Sequence, residues 1–165
     1  MNNKTNIKQG GCACGLVRYE LISDPLIVHC CHCTYCQRQT GSAFVINALY
    51  QTEKVKLLSG TVNEIETPSP SGKGQIVARC PECQVAVWSH YYMSGIKNKV
   101  SFVRVGTLDN PELLPPDVHI FTETKQPWLS LPPETLAVKV YYDYETTWSL
   151  ENQMIRTKLL EKSKH

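Results

Sequence analysis

Eight cysteines fall into three tight groups, and no other feature of the sequence restricts the fold as strongly. Four of them, Cys30, Cys31, Cys33 and Cys36, lie within seven residues of one another. The remaining four form two pairs on either side, Cys12-Ala13-Cys14 and Cys80-Pro81-Glu82-Cys83. Sulfur packed this densely needs either oxidising surroundings or a metal. Residues 1–9 are polar and lack the apolar run of a secretory signal. No apolar stretch approaches the length of a membrane span. The expected location is therefore the reducing cytoplasm, where disulfides do not persist and clustered thiols hold metal.

Tetrahedral zinc with Zn–S bonds of about 2.3 Å requires neighbouring sulfurs about 3.8 Å apart. In Cys-x-Cys an extended backbone puts both side chains on one face, so they converge on one ion. Cys-x-x-Cys achieves the same through a turn. Cys12, Cys14, Cys80 and Cys83 together make a four-thiolate site that ties the start of the chain to its middle. A site with four protein ligands leaves no position for substrate and is structural. Such a site can contribute roughly 10–16 kcal/mol of apparent binding energy to folding.

The central run Cys31-His32-Cys33-Thr34-Tyr35-Cys36 offers three sulfurs to a second zinc and leaves its fourth position for water or an incoming thiol. An open position is what catalytic zinc requires. Cys30, next to Cys31 on an extended chain, is expected to point to the opposite face as a small buried residue. A kinked backbone would instead let it close the site. His29 and His32 are further possible ligands but are read as satisfied or exposed histidines, and His119 is read as packing against Trp128, the alternative being a proton carrier that faces a pocket. Arg38 is the candidate substrate contact, with hydroxyls and backbone donors from Thr40-Gly41-Ser42 beside it.

At 165 residues the chain suits one domain with a core of its own. A net charge of +2 gives no reason to expect nucleic acid or an anionic membrane as partner. Residues 1–9 are expected to be a disordered tail, 10–145 the zinc-binding domain, and 146–165 a C-terminal tail or short helix. The domain reads as all-β: short runs rich in β-branched and aromatic residues alternate with Pro, Gly, Asn and Ser. Strands are expected over 16–21, 26–29, 43–50, 55–58, 62–66, 75–79, 85–92 and 99–108. Residues 67–74 are a loop. Residues 109–134 hold six of the ten prolines and read as loop around a short run at 118–121. The stretch 136–142 could close the sheet, and 149–165 could form an amphipathic helix.

Three segments in order resemble the glutathione-dependent formaldehyde-activating enzyme family, which includes centromere-protein-V-like proteins. They are Gly11-Cys12-Ala13-Cys14-Gly15-Leu16-Val17-Arg18-Tyr19-Glu20, the run from Cys31 through Thr40-Gly41-Ser42-Ala43-Phe44, and Cys80-Pro81-Glu82-Cys83. Pro116-Asp117-Val118-His119-Ile120 and Pro127-Trp128-Leu129 look like the family's closing signature. The resemblance implies a β-tent fold of antiparallel sheets pinned by two zinc ions per chain. By position, Cys12, Cys14, Cys80 and Cys83 match the structural site, and Cys31, Cys33 and Cys36 the catalytic one. It also implies a carbon–sulfur lyase whose substrate is a small thiol adduct such as S-(hydroxymethyl)glutathione, formed from glutathione and formaldehyde. The alternative is a non-catalytic zinc module that serves as a structural or interaction domain. The sequence departs from the pattern at Gln84, where the family usually has Gly, and at Cys30, an extra thiol. Oligomeric state is not fixed by the sequence.

Overall fold

A computed structural model describes residues 7–92 and 95–163. Its strands are β1 (Lys8–Gly11), β2 (Arg18–Leu21), β3 (Ile27–Cys31), β4 (Val45–Gln51), β5 (Val55–Ser59), β6 (Asn63–Thr67), β7 (Gln75–Arg79), β8 (Ala86–Tyr91), β9 (Val100–Arg104), β10 (Val118–Ile120) and β11 (Leu136–Ala137). Among the described residues there are three α-helices, α1 (Thr34–Thr40), α2 (Tyr144–Thr147) and α3 (Leu150–Lys162), besides short 3-10 turns. The chain is all-β in character, as its alternating runs predict.

One sheet has three strands in the order β1-β2-β5, and the other has eight in the order β11-β10-β3-β4-β9-β8-β7-β6. Pairing is antiparallel except at one end of the large sheet, where β10 lies parallel to both β3 and β11. The wholly antiparallel expectation is corrected there. The run from 118 returns beside β3 after a long Pro-rich connection, and such a crossover permits parallel pairing.

The central strands of the large sheet are buried on both faces, and the period of two sorts their side chains. Val28, Ala48, Tyr50 and Val103 meet Tyr19 and Leu21 of the small sheet, and Val17 just before it, in one core. Ile27, Cys31, Val45, Leu49 and Val100 face the other way, toward Tyr142, Trp148 and Leu159 of the C-terminal segment. Fully burying an aliphatic side chain contributes about 1.5–3 kcal/mol. Both faces of the central strands therefore add to stability, which explains the fully buried pattern of β3.

The expected disordered tail stops short of residue 9, because Lys8 and Gln9 pair with Leu21 and Glu20. Residues 1–6 of that tail lie outside the described residues. Strand β11 is only two residues long, and the chain from 138 leaves the sheet edge. The C-terminal helix forms, capped by the Ser149 hydroxyl, which accepts from the Asn152 N–H. Its apolar face is narrower than the sequence suggests. Leu159 is buried, while Leu150 and Met154 are exposed.

Candidate metal centres and the cavity beside them

The pairs Cys12/Cys14 and Cys80/Cys83 sit on two tight turns. The N–H of Cys12 donates to the Val17 carbonyl at 3.1 Å, and the N–H of Cys80 to the Val85 carbonyl at 3.0 Å. Gly11 lets the first turn close, since a Cβ there would lie 2.3 Å from the Val17 carbonyl oxygen. In the second turn Gln84 takes the left-handed conformation that glycine favours, with φ of 61°. Its N–H still bonds the Cys80 carbonyl, and its side chain bonds the Pro81 carbonyl at 2.8 Å. The departure from Gly therefore leaves the turn in place.

These turns bring the ligand atoms of Cys12, Cys14, Cys80 and Cys83 within 4.8 Å of one another. The Cys12–Cys14 and Cys14–Cys80 sulfurs are 3.4 and 3.7 Å apart, near the spacing that tetrahedral thiolate coordination needs. All eight cysteines are free thiols. The four sulfurs together form a donor set that fits a metal ion and closes around it.

The second set grows from β3 and α1. Cys31 ends the strand, and Cys33 caps α1, its sulfur accepting the Cys36 N–H at 3.3 Å. Gly41 stops the helix in the left-handed region and donates to the Gln37 carbonyl, which keeps α1 to two turns. The Cys31, Cys33 and Cys36 ligand atoms lie within 4.8 Å of each other. Hydrogen bonds from Cys31 and Cys36 draw Cys33 down to about 3, and the same sharing pushes Cys31 well up. Three thiols this close cannot all ionise unless a cation replaces their protons. The set therefore fits a metal on the chemistry of its donors.

Cys30 turns to the opposite face of β3 and does not join this set. It pairs in register with His119 of β10 and lies with His32 and His119 as a third group whose ligand atoms fall within 4.8 Å. The kinked-backbone alternative, with Cys30 as fourth ligand to the central site, is corrected by the regular register of β3. Burial pushes the Cys30 thiol up to about 12. The two imidazoles are stacked and share a 2.9 Å hydrogen bond between His32 Nε2 and His119 Nδ1. His119 thus packs on His32, whereas Trp128 is 71% exposed. His29 is also buried, and its Nε2 meets the Tyr142 hydroxyl.

Cys31, Cys33 and Cys36 open on a cavity of about 550 Å³. His29, Asn47, Phe102 and Arg104 form its floor, and Phe121, Tyr141, Tyr144 and Trp148 one wall. Arg38, the basic residue expected here, is exposed on α1. Arg104 lines the cavity instead and is 7% exposed. It donates to Asn47 Oδ1 and Gln39 Oε1, each at 2.6 Å. Burial lowers its pKa, and the Cys36 and Cys31 sulfurs oppose that shift. Among the described residues no carboxylate forms an ion pair with Arg104, and the Cys36 and Cys31 sulfurs lie near it. A sequence signal existed: Val100, Phe102 and Arg104 share one face of a strand, which puts a cation among inward apolar residues. Thr40 and Gly41 serve α1 itself, since the Thr40 hydroxyl donates to the Cys36 carbonyl at 2.8 Å.

Sheets on two levels with cysteine sets at their turns define a class: an all-β protein whose clustered thiols are compatible with metal binding. The model of the glutathione-dependent formaldehyde-activating enzyme family matches residues 7–124, and the chain belongs to that family. No curated protein matches the chain. Among solved structures it is similar to a Rhodobacter sphaeroides protein at 18% identity, covering 61% of this chain and 87% of that one, with a TM-score of 0.47. No helix among the described residues is long and apolar enough to cross a membrane.

Proposed function

We propose that the chain is a zinc-dependent carbon–sulfur lyase that joins a thiol to an aldehyde, and reverses that step, at Cys31, Cys33 and Cys36. The observation that carries this reading is an asymmetry between the two thiol sets. Four sulfurs enclose one position, while three converge at the mouth of a large cavity. Zinc held by the three sulfurs would supply a place where an entering thiol is held as its thiolate, the nucleophilic form. Cys12, Cys14, Cys80 and Cys83 would hold a second, structural zinc.

The reaction is a simple addition. A C–S bond forms, the C=O π bond breaks, and the thiol proton ends on the former carbonyl oxygen. The family's named pair, glutathione and formaldehyde, is the reference case. Three thiolates and one Zn²⁺ carry a net charge of −1, which favours thiol capture over water activation. Arg104 offsets that charge from the cavity floor, held in orientation by Asn47 and Gln39. Tyr141, Tyr144 and Trp148 give the side facing the C-terminus an aromatic lining. Arg38, exposed on α1, is left the role of contacting a carboxylate that projects from the mouth.

The test is kinetic. Zinc-loaded protein should accelerate the formation or breakdown of a thiol–formaldehyde adduct above the spontaneous rate, and Cys33→Ser should abolish that acceleration while remaining folded. A rate equal to background for every thiol tried would remove the lyase reading and leave the non-catalytic module.

A further inference from the structure

The cavity has a wall that the family match does not reach. The matched region ends at residue 124, yet Val140, Tyr141, Tyr144 and Trp148 line the space beside the three sulfurs. These side chains are fixed from behind. Tyr141 stacks on Tyr142 at 4.5 Å, and Tyr144 meets Trp148 edge-on at 5.2 Å. The Arg156 guanidinium of α3 sits 4.0 Å from the centre of the Tyr144 ring. Phe121 extends the same surface, 6.3 Å from Tyr141. The result is a preformed aromatic face opposite the floor residues Phe102 and Tyr91, which are themselves 6.2 Å apart.

The charge inside this space is sparse. Among the lining residues Arg104 is the buried cation, and Glu123 is an exposed carboxylate. Arg104 keeps its buried Nε without a partner. Glutathione carries two carboxylates and an ammonium, and each charge entering the cavity must find a partner or lose its hydration at high cost, since the polar lining besides Arg104 and Glu123, such as Asn47, Gln75 and Ser89, is uncharged. Inside the cavity the one guanidinium serves one carboxylate, while Glu123 attracts an ammonium but repels a second carboxylate, which is left to the exposed Arg38 outside. The interior suits a ligand with an apolar, planar body, a sulfur at one end and at most one acidic group.

We propose that residues 140–148 form an aryl subsite, so that the cavity selects an arylalkyl thiol, or the aldehyde adduct of one, over glutathione. This rests on the reading of Cys31, Cys33 and Cys36 as the thiol-receiving set. The sulfur enters beside those cysteines, the ring lies against Tyr141, Tyr144 and Trp148, and any single acidic substituent is placed toward Arg104. Ring-on-ring contact together with the buried apolar area makes the preference for an aryl thiol at least about tenfold.

The experiment uses full-length protein loaded with Co²⁺, whose absorption reports sulfur entering the open set while the closed four-thiolate set gives a constant background. Phenylmethanethiol, 2-mercaptoethanol and glutathione are titrated in turn. Phenylmethanethiol should perturb the spectrum at least tenfold lower in concentration than either of the others and should quench part of the tryptophan fluorescence, Trp148 being the tryptophan that lines the cavity. Tyr144→Ala should erase that advantage, so that phenylmethanethiol and 2-mercaptoethanol respond over the same concentration range. Because the wild-type ratio needs no variant, a Tyr144→Ala protein that fails to fold does not spoil the test. Equal responses to all three thiols, or a preference for glutathione, would overturn the aryl subsite and leave the lyase reading standing. No spectral response to any thiol would overturn both.

Discussion

The C-terminal wall depends on one hydroxyl, and removing it gives a sharp test of how the wall is held. Tyr142 is 7% exposed, and its oxygen accepts the indole N–H of Trp148 at 2.9 Å. The same hydroxyl is bonded to His29 Nε2 on β3. Both partners are buried, Trp148 at 5% and His29 at 1% exposure. Tyr142→Phe keeps the ring, and with it the stacking on Tyr141, but leaves two buried polar groups without partners. Each such orphan costs about 1–3 kcal/mol, so the variant should lose about 2–6 kcal/mol. The control is Tyr141→Phe. The Tyr141 hydroxyl reaches only other tyrosine hydroxyls, at 3.5 and 3.4 Å, where hydrogen bonds are weak. That variant should lose less than about 1 kcal/mol. Urea unfolding at fixed free zinc, followed by Trp fluorescence, reads both differences, and an unchanged m-value shows that the same surface is exposed. If Tyr142→Phe lost no more than Tyr141→Phe, the hydroxyl would not be what holds the wall to β3.

The two thiol sets should separate under substitution: Cys83→Ser should lower bound zinc from two per chain to one and abolish cooperative unfolding, whereas Cys33→Ser should lower it equally and leave a folded protein, both read by metal analysis with circular dichroism. Arg104→Met removes the counter-charge beside the three sulfurs and should weaken their hold on metal about tenfold, measured by competition with a chromogenic chelator. An undiminished affinity would show that the sulfurs do not need this guanidinium. Gly11→Ala places a Cβ against the Val17 carbonyl oxygen and should cost about 1–3 kcal/mol in unfolding free energy, and a neutral result would mean the turn can shift freely.

The strands were legible where burial is imposed by neighbours close in sequence. Val17, Tyr19 and Leu21 alternate with Arg18 and Glu20, and the structure buries the first three fully. The turns at Cys12 and Cys80 were equally local. Strand β10 was harder, because its identity depends on pairing with β3, and only three residues of a Pro-rich segment take part. The end of the chain was misjudged for a related reason. Leu150 and Met154 look like the apolar face of a helix, yet what buries α3 is decided by Leu159 and by the distant β-sheet face it meets. Nothing within 149–165 encodes where that face lies.

The central cysteine run illustrates both the reach of sequence reasoning and its limit. Alternation along β3 is enough to divide four adjacent thiols, because Cys30 and Cys31 must leave an extended strand on opposite sides. The large sheet gives those sides different surroundings. Behind Cys30 are two histidines, both held neutral by burial, with His32 drawn down to about 4 and His119 also lowered. In front of Cys31 are two further sulfurs, a buried arginine and a cavity. The local sequence thus determines which thiols can act together. What they act beside is set by Arg104, some seventy residues away, and by aromatic residues beyond the matched region. A change in the C-terminal segment would alter the cavity without touching a sulfur. On the proposed function, chains that share the cysteine pattern should therefore differ in the thiol they accept wherever their equivalents of residues 140–148 differ, which the same thiol titrations would read.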